Sequence, residues 1–174
     1  MDQVKEQLQM MQIAWSVAEK EGDEKPNLGH FVFIGSPGTG KTTVARVIAK
    51  ILFGLNLKPS DKLVETSALD LQGDYLGQTK TKVNEVLSDA KSGILFIDEA
   101  YNLGLGQFGK EACDTLVAAM TSDNFQDVLI IIAGYHDEIH TMLKTNIGLK
   151  SRFTTFFDFP DWKAGDCSAF FEKC

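Results

Sequence analysis

Arginine is nearly absent from this sequence: Arg46 and Arg152 are the only two in 174 residues, and the other basic residues are lysines. A surplus of positive charge is missing as well. There are 17 Lys+Arg against 24 Asp+Glu, a formal net charge of −7. Binding nucleic acid through bulk charge needs a basic face, so this balance argues against it. Cysteine is sparse. Cys113, Cys167 and Cys174 are an odd number without metal-ligand spacing, which excludes a disulfide framework and suits a reducing compartment. Long apolar runs are lacking too: stretches such as 128–134 fall far short of the ~18 residues that span a bilayer. The chain opens with Asp2, Gln3, Lys5 and Glu6, without the basic start and apolar segment of a secretion signal. The expectation is a soluble intracellular protein with no membrane or nucleic-acid partner; cytoplasm, nucleus and organelle matrix are not distinguished.

What is present is the balance of an ordinary globular domain, 44% hydrophobic and 24% charged. A chain of this length buries roughly two-thirds of its unfolded surface, so one self-sufficient domain is the default. Val4, Leu8, Met11, Trp15 and Ala18 recur at steps of four and three, which predicts a helix over 2–20. Its stripe packs on the domain core or faces a partner or nucleotide. Residues 21–29 read as a connector broken by Gly22, Pro26 and Gly29. Beyond it, apolar runs at 30–34, 62–66, 94–97, 128–133 and 154–159 alternate with helical patterns at 42–53, 79–90 and 110–120. Runs apolar on both faces and separated by helices predict a three-layer α/β domain. Its sheet is mostly parallel and five-stranded, with helices on both faces.

The first strand runs into Gly35, Ser36, Pro37, Gly38, Thr39, Gly40, Lys41 and Thr42, with Thr43 following and a helix after that. This is G-x-x-x-x-G-K-[ST] in the strand–loop–helix setting the motif needs. The glycines permit backbone conformations and close approach that a Cβ would block. Successive N–H groups can then face phosphate oxygens above the positive end of the helix. Lys41 brings a mobile charge to the outer phosphates, and the Thr42 hydroxyl can ligate Mg²⁺.

A phosphate loop alone fits a kinase, a GTPase or an ATPase. The strand at 94–97 ends in Asp98 and Glu99, at the carboxyl end where open α/β sheets bind ligands. Asp98 would hold Mg²⁺ through water, while Glu99 would orient and deprotonate an attacking water. An acid placed for a water nucleophile points to hydrolysis.

These motifs stand in order with 74–79 (Asp-Tyr-Leu-Gly-Gln-Thr), 132–135 (Ile-Ala-Gly-Tyr), 149–153 (Leu-Lys-Ser-Arg-Phe) and 157–161 (Phe-Asp-Phe-Pro-Asp). Taken together, the sequence resembles the AAA+ ATPases, and more narrowly the CbxX/CfqX family, from about residue 4 to 162. The resemblance implies a Mg²⁺-dependent ATPase that binds ATP and ADP between subunits of a homo-oligomer, usually a hexameric ring. Such rings remodel protein clients; the client here is not identified. It implies a P-loop NTPase core (the AAA+ large subdomain) over 30–162, preceded by a helix and connector at 1–29. A truncated helical lid would begin at 163–174.

By the same resemblance Tyr75, Leu76 and Gly77 match an aromatic–aliphatic–glycine pore loop. Arg152 matches the arginine finger that reaches a neighbour's γ-phosphate, a surface salt bridge being the competing role. Arg46 lies one turn past Thr42 and reads as structural. Tyr135 stands where relatives place a polar residue that positions water, and it either does that or packs. An ATP-binding scaffold with slow or incidental hydrolysis is the alternative function. A DNA-handling member is disfavoured by the net charge and the aromatic loop. Residues 104–109 spell G-x-G-x-x-G, but they do not open directly off the strand and read as a flexible loop. His30, His136 and His140 do not cluster with cysteines, which argues against zinc.

Overall fold

Short runs that are apolar on both sides can hide both faces only inside a sheet covered twice, and each of the five runs becomes a strand. They are β1 (His30–Gly35), β2 (Leu63–Ser67), β3 (Ile94–Asp98), β4 (Leu129–Gly134) and β5 (Phe153–Phe159), within one residue of the expected bounds. The computed structural model describes residues 2–21, 28–75 and 77–161. All strand pairings are parallel, in the order β2-β3-β4-β1-β5. The helices are α1 (Asp2–Glu21), α2 (Lys41–Gly54), α3 (Gln78–Asp89), α4 (Gly106–Ala119), α5 (His136–Thr145) and the short α6 (Ile147–Lys150).

Side chains alternate across the sheet and build two cores. Phe31, Phe33, Phe96, Ile131 and Phe157 meet Val44, Ile48 and Leu52 of α2 and Val4 and Trp15 of α1. Val32, Leu95, Ile97, Ile130 and Ile132 meet Val83 and Leu87 of α3, Leu116 of α4 and Ile139 of α5. The α1 stripe thus packs on the domain's own core. Phe33 ties three strands together, with ring centroids 6.2 Å from Phe96, 5.2 Å from Phe157 and 5.0 Å from Phe159. Among the described residues no helix is long and apolar enough to cross a membrane.

Two stretches differ from expectation. Residues 104–109 are not a flexible loop: they close a 3₁₀ turn (Ala100–Gly104) and form the first turn of α4. Backbone packing is the reason, since a Cβ on Gly109 would sit 2.6 Å from the Asn102 carbonyl oxygen. Residues 136–150, to which the sequence reading assigns no element, form α5 and α6. Ile139, Met142 and Leu143, at helical spacing and buried, are the signal that identifies α5. The lid expected at 163–174 lies outside the described residues.

His30 opens β1 from a buried position. Its Nδ1 accepts the Ile130 N–H at 3.1 Å, and its ring tilts against Phe153 at 5.4 Å. Burial, with Lys58 and Arg152 adding repulsion, pushes its pKa down to about 4. An unfolded chain takes up the proton near pH 6.5, whereas the folded chain does so only near 4. Stability contributed by neutral His30 is therefore present above pH 6.5 and lost as pH falls towards 4, by roughly 3 kcal/mol. Urea midpoints at pH 7, 5.5 and 4 should show this loss, and His30→Gln should remove much of the slope. Superimposable slopes for the two proteins would exclude His30 as the linked group.

Candidate functional site

The site assembles where parallel strands end. β1 stops at Gly35, beside Phe159 on one side, while Ile34 faces Gly134 on the other. The approach is close: a Cβ on Gly35 would lie 2.4 Å from the Phe159 carbonyl oxygen, so only glycine fits the turn out of β1. The chain then bends through Gly38 (φ 76°) and Gly40 (φ 95°), both left-handed. Gly40 caps α2 without a side-chain hydrogen bond to the first turn. The first turn of α2 contains no acidic residue, so its partial positive charge faces the loop uncompensated.

Thr39 and Lys41 are buried although polar, and their partners explain it. The Thr39 hydroxyl donates to Ser36 O at 2.8 Å. Lys41 Nζ donates to Gly35 O and Ser36 O, both at 2.8 Å. Burial lowers the Lys41 pKa, and the nearby Asp98 carboxylate opposes that effect. Asp98 and the loop lysine thus share one electrostatic environment. Pro37 and Thr43 lie exposed at the loop's outer side, and Thr42 is half-buried in the first turn of α2.

Asp98 ends β3, and its Oδ1 accepts the Glu99 N–H at 2.9 Å. Glu99 adopts φ 48°, ψ 38°, a left-handed conformation that few non-glycine residues take. That turn leaves its side chain exposed beyond the strand end. Tyr135 follows β4 and is 40% exposed, so it does not serve as a core residue. It lines a cavity of about 400 Å³ together with Gly35, Ser36, His136 and Asp158.

Sequence reasoning missed Tyr101, whose ring lies 6.0 Å from that of Tyr135. Burial, and then the neighbouring Glu99 carboxylate, raise the Tyr101 pKa. A tyrosine three residues after Asp98 carried no spacing signal, because its neighbour Tyr135 comes from the end of β4, far away in the sequence. Thr42 and Asp98 offer oxygen donors only, which suits Mg²⁺ shared with phosphate and water. Among the described residues no group of three or more His, Cys, Asp or Glu is placed to hold a metal ion.

Arg152 is not at this site. It immediately precedes β5, and His30 N–H donates to its carbonyl at 3.3 Å, so it lies at the opposite end of the sheet. From His30 to Gly35 is five strand steps of about 3.3 Å, so roughly 16 Å separates the two levels. Its Nη1 donates to Gly148 O at 2.8 Å and contacts Ser151 Oγ at 3.4 Å. Arg46 instead pairs with Glu65 of β2 through Nε (3.0 Å) and Nη2 (2.6 Å), a structural tie between α2 and the sheet edge. Tyr75 is 65% exposed ahead of α3, and Gly77 caps that helix at φ 85°. Leu76 lies outside the described residues.

The family model described as "ATPase family associated with various cellular activities (AAA)" matches residues 31–161. Stage V sporulation protein K of Bacillus subtilis is 44% identical over 157 residues, covering 86% of this chain and 48% of that protein. The ESX-1 secretion system protein EccA1 of Mycobacterium tuberculosis is 48% identical over 136 residues, 75% of this chain and 24% of its own length. The ESX-3 protein EccA3 of Mycolicibacterium smegmatis is 45% identical over 139 residues, 78% and 23% respectively. The chain thus spans about half the length, or less, of these curated relatives. Among solved structures, the FIGL-1 AAA domain in complex with ADP matches with a TM-score of 0.60 at 19% identity, over 83% of this chain and 47% of that one. That likeness establishes the fold.

Lys41→Ala removes an ammonium that would offer a bound phosphate a charge-assisted hydrogen bond. Lys41→Ala should weaken nucleotide binding by roughly 10- to 100-fold, the equivalent of ~1.5–3 kcal/mol. Calorimetric titration with ATP measures this, and circular dichroism checks that the fold is retained. Unchanged affinity would place the nucleotide elsewhere.

Proposed function

The chain belongs to the AAA family of ATPases, and from that premise we propose that it binds ATP with Mg²⁺ and hydrolyses it within a homo-oligomer, within the CbxX/CfqX branch. The observation that carries the reading is the convergence of Lys41 with Asp98, beside Glu99, at the carboxyl ends of β1 and β3. The phosphates of ATP would rest on the N–H groups from Gly35 to Thr43, above the start of α2. Lys41 would turn from the Gly35 and Ser36 carbonyls to the outer phosphates, exchanging two neutral acceptors for charged ones. Thr42 would contribute its hydroxyl and Asp98 its carboxylate to holding Mg²⁺. When bound, that ion supplies charge neutralisation at the phosphate oxygens.

Glu99 would accept the proton of the attacking water as the water's oxygen bonds phosphorus and ADP departs. Its exposure beyond the strand end leaves room for water on the phosphate side. Tyr135, beside the loop and carrying a hydroxyl, would align that water. Arg152 is too far along the sheet to serve its own loop, which supports a role across a subunit boundary. There it would stabilise charge developing on the neighbour's γ-phosphate.

Tyr75, exposed beside a helix-capping glycine, suits an apolar grip on polypeptide, so remodelling of a protein client through a ring is the proposed output. We assign 30–162 to the ATPase core, 1–29 to the helix and connector leading into it, and 163–174 to the start of a lid.

Two experiments test this reading. Glu99→Gln should leave ATP affinity within about twofold while turnover falls ~10²–10⁴-fold; unaltered turnover would remove Glu99 from the mechanism. Tight ATP binding by the wild-type chain, with negligible turnover at every protein concentration, would favour the nucleotide-controlled scaffold instead. Separately, Arg152→Ala and Lys41→Ala proteins should each be inactive, yet a mixture should regain turnover at boundaries that pair an intact loop with an intact Arg152. Absence of rescue at every ratio would rule out a shared site.

A further inference from the structure

Two of the three histidines meet on α5. His136 and His140 stand four residues apart at its amino end, a spacing that puts side chains on one face of a helix. Their ring centroids lie 4.4 Å apart. Two imidazoles that share one ion, each bound through nitrogen at about 2.0–2.1 Å, hold their centroids roughly 4.5–5 Å apart. The pair is therefore a small rotation away from a chelating geometry.

Each ring is also oriented from outside the pair. His136 Nδ1 lies 2.9 Å from Asp137 Oδ1. A carboxylate only accepts, so Nδ1 carries the proton and Nε2 is left with its lone pair. A carboxylate behind an imidazole in this way fixes the tautomer and raises the basicity of the ligating nitrogen. His140 stacks on Phe156 of β5, with centroids 5.7 Å apart and planes 7° from parallel, which sets its ring plane. The surroundings favour a cation. Asp137 and Glu138 occupy the first turn of α5 and offset the positive end of the helix. The cavity that His136 lines beside the phosphate loop carries Asp158 and Asp161 and, among the described residues, no lysine or arginine.

We propose that His136 and His140 form a chelate for a divalent transition-metal ion, with water completing its coordination. No third protein ligand joins them among the described residues, so this is neither a closed structural zinc centre nor a three-ligand hydrolytic one. Imidazole nitrogen selects Zn²⁺, Ni²⁺ or Cu²⁺, whereas Mg²⁺ takes oxygen, so the site is separate in chemistry from Thr42 and Asp98. Tyr135 is the N-cap of α5. An ion bridging the first turn thus staples the helix at the residue that faces the phosphate loop. Ion binding here does not depend on nucleotide.

The test is a titration of zinc chloride into the isotope-labelled chain near neutral pH, with the imidazole signals followed by NMR. The His136 and His140 signals should shift together and saturate at one ion per chain. His30, buried with its Nδ1 bonded to the Ile130 N–H, should stay in place as the internal reference. His136→Ala changes an exposed side chain and should weaken the His140 response at least ~10-fold, and Asp137→Asn should weaken it several-fold. His140→Phe keeps an aromatic ring against Phe156 and should weaken the His136 response to the same degree as the reciprocal change. Zinc should also raise the thermal midpoint of wild type and not that of His136→Ala. Magnesium chloride should leave both rings unshifted. Zinc that binds without moving either ring would overturn the proposal. So would a His140 response that survives intact in His136→Ala, or the same shifts with magnesium.

Discussion

Parallel pairing of β1 between β4 and β5 is the constraint on which the rest depends. Because all five strands run the same way, every carboxyl end emerges at one rim and every amino end at the other. Register then decides what meets at each rim. Ile34 opposite Gly134 brings the phosphate loop beside Tyr135, and Ser67 opposite Asp98 puts the acidic pair on the same rim. The same directionality sends Arg152 to the far rim with the start of β5. One geometrical rule therefore separates the loop from the only arginine not already paired in the structural tie to Glu65.

Burial of charge marks both rims. Lys41 is held in the loop by carbonyl oxygens, and burial lowers its pKa against the opposing Asp98. At the other rim His30 stays neutral between Lys58 and Arg152. Buried cations cost free energy unless paired or bonded, and carbonyl oxygens supply bonds at both rims: Lys58 donates to Asp127 O and Arg152 to Gly148 O.

The packing that holds these rims is richer in buried aromatics on one face than on the other. Phe33, Phe96, Phe157 and Phe159 form a contiguous patch across three strands, under α1 and α2. Aliphatic side chains, with Phe153, fill the opposite face beneath α3 to α5. The Phe33–Phe159 contact and the Gly35 approach to the Phe159 carbonyl lie side by side. Core packing thus ends directly at the first residue of the loop and fixes its starting point.

The strand and helix runs, the phosphate loop and the acidic pair were legible because each is a local pattern. Periodicity reports which faces are buried, and glycine–lysine–threonine spacing reports a backbone path. Residues 104–109 were misread because their order comes from Gly109 closing on the Asn102 carbonyl, a contact that spacing does not encode. Tyr101 was not assigned to the site for the same reason, as its neighbour Tyr135 follows β4, far away in the sequence. What the sequence by itself determined was the α/β class and the family. Only tertiary structure decided that Lys41 and Asp98 feel one another, that Glu99 turns left-handed out of the sheet, and that Arg152 joins Lys58 and His30 at the far rim. Those facts depend on strand order and register, which follow from packing across the whole sheet and from no single segment of it.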